Sequence, residues 1–166
     1  MQLKHVLTAI AVCACATGAY GHGDAKHQKK PRPISAEETA FGREGDPRQV
    51  SRTIDVDMSD KMRFSPGTLS IRQGETVRFR VKNSGKLMHE MVIGTFAELK
   101  SHAELMRKHP GMEHDEPYMA HVAAGKTETM VWQFTKPGEF YYGCLVPGHF
   151  EAGMMGKIIV TKGTSK

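Results

Sequence analysis

Apolar and polar residues alternate along several short stretches in the second and last quarters of the chain. In Ile54–Met58 the apolar side chains fall on one face and two aspartates on the other, a period of two that is typical of a half-buried strand. Thr76–Val81 and Glu128–Phe134 repeat this pattern, and turn-forming residues such as Ser65–Gly67 separate the runs. Several short strands with regular turn signals predict an all-β fold of the β-sandwich type.

One stretch departs from this period of two. Phe96, Leu99, Ala103 and Met106 fall near helical spacing, with charged residues between them. Pro110 and Gly111 then end the pattern. We therefore predict one helical excursion between strands, at about 95–109.

The N-terminal 21 residues have the pattern of a secretory signal peptide. Lys4 gives a positive start, and the apolar run Val6–Ala16 is too short to span a bilayer. Ala19–Gly21 fits a small-x-small cleavage site. This pattern predicts export to the periplasm and a mature chain without a membrane span.

The remaining chain divides by composition. Residues 22–49 are polar and rich in Lys, Pro and Gly, so they predict a flexible arm that buries little apolar surface. Residues 50–166 carry the strand pattern and predict one folded domain. The chain has a formal net charge of +5, with four basic residues in 26–32, and basic residues do not interleave with aromatic ones. We expect a monomer that does not bind nucleic acid.

Cysteine usage points to a metal. Cys13 and Cys15 lie in the predicted signal peptide, so Cys144 is alone in the predicted mature chain and cannot form an intramolecular disulfide. A single exported thiol is vulnerable to oxidation unless it is buried or bound to a metal. Metal ligation is therefore a good reason to retain Cys144.

The residues after Cys144 supply partners for such a metal. Cys144, His149 and Met154 are each separated by four residues, and a β-branched strand follows them. A thiolate, an imidazole and a thioether suit copper in a His2Cys site with a weak axial Met. His89 is the best candidate for the second imidazole. Met154 is preferred to Met155 as the axial ligand, because in strand-like continuation Met155 points the other way.

This segment resembles the cupredoxins, the family of plastocyanin, pseudoazurin and azurin. Residues 152–154 (Ala-Gly-Met), followed by 156–158 (Gly-Lys-Ile), resemble the plastocyanin ending, whereas the Cys144–His149 spacing resembles that of azurin. The resemblance implies a Greek-key β-sandwich or barrel and one type 1 copper. Within the family the chain looks most similar to periplasmic copper-tolerance cupredoxins. Glu90 stands where many cupredoxins carry Asn, which affects the hydrogen bonding expected around Cys144.

Other chemistries fit the same residues less well. Cys and two His also bind zinc, but structural zinc sites favour four strong ligands and catalytic sites need access for water. A nucleophilic Cys144 needs a base and an oxyanion hole, and neither is signalled. We therefore expect a copper protein that is not an enzyme.

A second concentration of His and Met follows the predicted helix. It suggests additional copper ligands, because thioethers favour Cu(I) and imidazole accepts either oxidation state. The alternative is a polar loop whose methionines pack on the barrel. Beyond this stretch, His22 is a further candidate if cleavage exposes its amine. The candidate secondary ligands are His109, Met112, His114, Met119, His121 and His22.

Two functions remain open at this point. The first is copper tolerance, in which the protein binds periplasmic copper or changes its oxidation state. The second is soluble electron transfer between respiratory partners, with a redox protein docking near His149. The extra His and Met residues favour the first.

Overall fold

The computed structural model describes residues 32–112 and 114–163. The predicted signal peptide 1–21, His22 and the first part of the predicted arm, 22–31, lie outside the described residues.

Within this described part, strands alternate with short turns, and one α-helix and one short 3-10 helix interrupt them. In chain order the elements are β1 (Glu38–Thr39), β2 (Gly42–Glu44), the 3-10 helix (Pro47–Gln49), β3 (Arg52–Ser59), β4 (Arg63–Ser65), β5 (Thr68–Arg72), β6 (Thr76–Asn83), β7 (His89–Gly94), α1 (Phe96–Lys108), β8 (Met119–Val122), β9 (Thr127–Gln133), β10 (Gly138–Gly143) and β11 (Met155–Thr161).

The strands form two sheets. One has the order β1-β2-β9-β6-β3-β4 and the other the order β5-β11-β10-β7-β8. Strands that follow each other along the chain often lie in different sheets, so the connections pass from one layer to the other. The predicted all-β sandwich is confirmed.

Alternation along the strands decides what fills the space between the sheets. In β6, Val77, Phe79 and Val81 are completely buried, and in β3 the inward residues are Val56 and Met58. These side chains point to one face because successive residues of a strand point to opposite faces. They join aromatic and aliphatic residues of the other sheet in one core cluster.

Strand β7 is buried along its whole length. Met91 and Ile93 face the main core, whereas Val92 faces the opposite way, into a second cluster with Leu99 and Met106 of α1. The helix therefore covers the outer face of this strand, which explains why the sequence from residue 89 to 94 is not clearly amphipathic.

The helix confirms the predicted excursion. Thr95 accepts a hydrogen bond from the Glu98 backbone, and the Glu98 side chain accepts one from the Thr95 backbone, a capping box that fixes where α1 begins. Among residues 32–112 and 114–163, no helix is long and apolar enough to cross a membrane.

The folded unit begins earlier than the sequence pattern indicated. Arg43 and Glu44, assigned above to the arm, pair with β9. Phe41 is 4% exposed, and its ring stacks on Trp132 at 5.3 Å between centroids. The Trp132 indole also donates a hydrogen bond to the Phe41 carbonyl at 3.1 Å. The contacts of Phe41 with Trp132 thus attach this segment to the sheet, although its polar composition predicts little burial.

Candidate metal centre

Three adjacent strands bring the predicted ligands together at one end of the sheet, where the strands begin or finish. Gly143, at the end of β10, pairs with both Val92 of β7 and Met155 of β11. Since β10 is antiparallel to both neighbours, its C-terminal end lies beside the N-terminal ends of β7 and β11. His89 begins β7 and Cys144 follows β10, so the strand pairing itself places these two residues together.

The side chains of His89, Cys144 and His149 converge. The Cys144 Sγ lies 3.2 Å from the His149 Nδ1 and 3.9 Å from the His89 Nδ1. The two Nδ1 atoms are 3.3 Å apart. All three donor atoms lie within 4.8 Å of one another, a separation that one metal ion bridges at ordinary bond lengths of about 2.0–2.3 Å.

Residues 144–154, here called the ligand loop, are closed by backbone hydrogen bonds. The Cys144 N–H donates to the Met154 carbonyl, and the Met154 N–H donates to the His149 carbonyl, both at 3.0 Å. Gly153 has φ = 85°, a left-handed conformation that favours glycine. Arg63 of β4 donates to the Ala152 carbonyl at 3.0 Å. Backbone bonding therefore holds the three loop candidates in register.

Burial separates the two candidate axial methionines. Met154 is 0% exposed and belongs to the same core cluster as Cys144. Met155 is only half-buried and starts β11 opposite Gly143. Its placement in the strand agrees with the expectation that consecutive residues point to opposite sides. These positions support Met154 as the axial candidate.

The Cys144 thiol is shielded from solvent. Burial raises the pKa of Cys144 to about 12, while backbone N–H groups of Glu90 and Val146 act in the opposite direction. The Glu90 N–H lies 3.4 Å from the Cys144 sulfur. Without a metal the side chain stays a protonated thiol. A bound cation is what makes the thiolate form accessible.

His149 is the candidate ligand that reaches the surface. It is half-buried, and burial, followed by the neighbouring His89, lowers its pKa. A lowered pKa keeps the imidazole neutral near pH 7, which is the form that binds metals.

Asp60 orients His89, a role that the sequence did not reveal. Its carboxylate lies 3.1 Å from the His89 Nε2 and accepts backbone hydrogen bonds from Lys86 and Leu87. The hydrogen bond from Lys86 is the main cause that lowers the Asp60 pKa. An ionised Asp60 keeps the proton on Nε2 and leaves Nδ1 free to bind metal. Asp60 lies in a turn 29 residues before His89, so no local spacing announced it.

Glu90 connects the site to β8. It is 3% exposed, and its Oε1 accepts a hydrogen bond from the Leu145 N–H at 2.9 Å. Its Oε2 lies 3.0 Å from the His121 Nδ1. The residue that departs from the common Asn thus holds the backbone after Cys144 and also pairs with His121, whose side chain is 33% exposed.

The donor set fits copper. A sulfur, two imidazole nitrogens and a buried thioether match the soft, mixed ligands that copper takes in both oxidation states. Structural zinc sites instead favour four strong ligands, and Met154 is not one.

The secondary candidates lie in different environments. His109 and Met112 are exposed, whereas Met119 is 1% exposed and packs against α1, as the alternative reading of the methionines predicts. His114 and His121 lie close together, with the His121 Nε2 3.0 Å from the His114 carbonyl oxygen. Both nitrogens of His121 therefore already have partners. His22 lies outside the described residues.

Comparison with known proteins agrees with this geometry. A model of the plastocyanin/azurin family of copper-binding proteins matches residues 50–161. The chain is 47% identical over 155 residues to the "Copper-resistant cuproprotein CopI" of Rubrivivax gelatinosus, covering 93% of this chain and 92% of that protein. It is 33% identical over 150 residues to a protein of the same name from Pseudomonas aeruginosa, covering 73% of this chain and 82% of the relative.

Solved structures support the fold. Auracyanin B superposes with a TM-score of 0.59 at 22% identity, covering 75% of this chain and 96% of that one. Reduced auracyanin from Roseiflexus castenholzii gives a TM-score of 0.58 at 20% identity, covering 68% of this chain and 98% of that one.

Proposed function

This chain belongs to the plastocyanin/azurin family of copper-binding proteins, and we propose that it acts in copper resistance by binding copper and changing its oxidation state. The observation that carries the proposal is the convergence of Cys144, His89 and His149 within 4.8 Å. The role in resistance is supported by similarity along most of the chain to proteins named copper-resistant cuproproteins.

Each site residue has a defined task. His89, Cys144, His149 and Met154 hold the copper, which supplies one-electron chemistry between Cu(I) and Cu(II) when bound. Asp60 fixes the His89 ring, and the Glu90 N–H and carboxylate hold the sulfur and the backbone that follows it. These supports come from separate elements, the turn between β3 and β4 and strand β7, so they restrain the donors independently of one another.

The role is not enzymatic. A catalytic metal site keeps an open position for water or substrate, whereas this site offers four protein donors, and His89, Cys144 and Met154 are all 0% exposed.

The periplasm is the proposed location. The apolar run and small-x-small pattern in residues 1–21 support export. A lone cysteine in an oxidising compartment is protected by burial and by the metal.

A second candidate function is electron transfer to a protein partner, and exposed apolar residues next to His89 in the chain favour it. Leu87 and Met88, which immediately precede His89, are 49% and 52% exposed. Exposed apolar residues that adjoin a ligand in sequence are suited to transient docking.

Growth of a deletion strain separates the two functions. If resistance is the role, loss of the protein should slow growth only under copper load. The unaltered gene should restore tolerance and Cys144→Ser should not. A respiratory defect without added copper, with tolerance unaffected, would instead favour the electron carrier.

A further inference from the structure

The rings of two histidines outside the ligand loop lie next to each other, one on α1 and one in the segment that follows it. The rings of His102 and His114 have centroids 4.6 Å apart, with planes tilted by 36°. His102 lies on the helix, and His114 lies in the segment between α1 and β8. These two residues are here called the histidine pair.

His114 is unusual in its hydrogen bonding. Both ring nitrogens are buried, and neither has a hydrogen-bond partner among the described residues. Buried polar atoms in folded proteins are nearly always satisfied. Two unsatisfied nitrogens on one ring therefore leave His114 able to accept a ligand.

His102 supplies the second imidazole of the pair. It lines a cleft of about 150 Å³ together with Thr39 and Glu98, among other residues. Burial, followed by the charge of His114, lowers the pKa of His102. The neutral ring is the form that binds metals at pH 7.

The fold holds the backbone of His114 in place. His121 of β8 lies opposite Glu90 of β7 in the sheet, and its Nε2 lies 3.0 Å from the His114 carbonyl oxygen. The sheet therefore fixes the backbone at His114 while its ring stays free for another partner. His121 does not itself supply a free nitrogen, because its Nδ1 lies against Glu90.

We propose that His102 and His114 bind a second copper ion, in the Cu(II) state, with water completing its coordination. Two imidazoles without a thiolate suit Cu(II), which prefers nitrogen and oxygen ligands. The choice of copper rests on the function proposed above, whereas the site itself rests on the orphaned nitrogens and the ring pair. This ligand set differs from the sequence expectation, because His102 replaces His109, His121 and the methionines.

The test is a Cu(II) titration in a Cys144→Ser background, where the first site has lost its thiolate. Adding His102→Gln and His114→Gln should remove one equivalent of bound copper. The matched control is His109→Gln, which changes an exposed histidine at the end of the same helix and should leave the stoichiometry unchanged. Equal stoichiometry with and without the pair, or an equal loss in the control, would overturn the site.

A second measurement does not depend on the folding of the His102→Gln and His114→Gln variants. In the Cys144→Ser protein, substoichiometric Cu(II) should broaden the ring proton signals of His102 and His114 before those of His109, because Cu(II) is paramagnetic. Broadening of His109 first would count against the site.

The two proposals fail separately. With Cys144 intact, His102→Gln/His114→Gln should keep the visible thiolate-to-copper absorption, which reports the first site alone. Absence of that absorption in the unaltered protein would remove the first site while leaving the titration of the pair interpretable.

Discussion

The ligand loop and the histidine pair both concentrate metal donors, but they are constructed differently. In the ligand loop, backbone hydrogen bonds connect Cys144, His149 and Met154 directly, and the donors are mostly buried. In the pair, a helix side chain meets a loop side chain, and one backbone contact from His121 supports it. Spacing in sequence therefore predicts a site well when one short loop provides most of the ligands.

The two regions also differ in how their donors are satisfied. In the loop site, His89 is oriented by Asp60 and the Cys144 sulfur receives a backbone N–H. In the pair, the His114 nitrogens have no partner among the described residues. The first region is preorganised for its metal, whereas the second has less support around its donors.

Removing the Cys144 sulfur should have the largest effect on the ligand-loop site. Cys144→Ser should abolish the intense visible absorption of the Cu(II) protein, because the thiolate that gives rise to it is gone. An absorption spectrum with a copper count checks this. Intense absorption that survived the substitution would refute the assignment of Cys144 as a ligand.

Removing the support of His89 should have the next largest effect. Asp60→Ala should lower copper affinity by about 10–100-fold, the usual cost of losing a partner that orients a ligand. Competition titration with a chelator measures the affinity, and histidine NMR should report a changed tautomer of His89.

Asp55→Ala is the matched control for Asp60. Asp55 pairs with Arg80, and both side chains are largely exposed, so its loss should leave copper affinity unchanged. Equal losses in the two variants would show that Asp60 acts through general charge and not through His89.

Substitutions at Met154 and Met155 test which of these two residues is the axial ligand. Met154→Leu should keep the copper and the visible absorption but raise the reduction potential, since a weak donor to Cu(II) is lost. A shift on the order of 59 mV would correspond to a tenfold change in the one-electron equilibrium. Voltammetry measures it, with Met155→Leu as the control. The reverse order of the two effects would assign the axial role to Met155.

The smallest expected effect concerns the connection between the two regions. The hydrogen bond to Glu90 is the main cause that raises the pKa of His121. A raised pKa in the folded state contributes stability that is fully present below the unfolded value of about 6.5 and is lost as pH rises through the folded value. The contribution should be on the order of 1 kcal/mol or less, because His121 is partly solvated.

Unfolding of the copper-free protein as a function of pH checks this contribution. His121→Gln should flatten the fall in stability above about pH 6.5, whereas His109→Gln should leave it unchanged. An identical pH profile for the unaltered protein and His121→Gln would show that the ion pair has no net effect on stability.

The sandwich, the helix and the ligand loop were all predictable from the amino-acid sequence. Alternation in stretches such as Ile54–Met58 carries strand and face information within a few residues. The 95–109 pattern carries helical periodicity in the same local way, and Cys144, His149 and Met154 lie within eleven residues of one another. These features were predictable because their geometry depends on short-range spacing.

Contacts between segments that are distant in sequence became visible only in the tertiary structure. Asp60 reaches His89 across 29 residues, Trp132 bonds to Phe41 across 91, and His102 meets His114 where α1 ends and the chain returns to the sheet. None of these pairs has a periodic signal, because the strand order and the docking of α1 set their separation. Local spacing therefore predicted the donors in the loop, while long-range packing selected the residues that orient them.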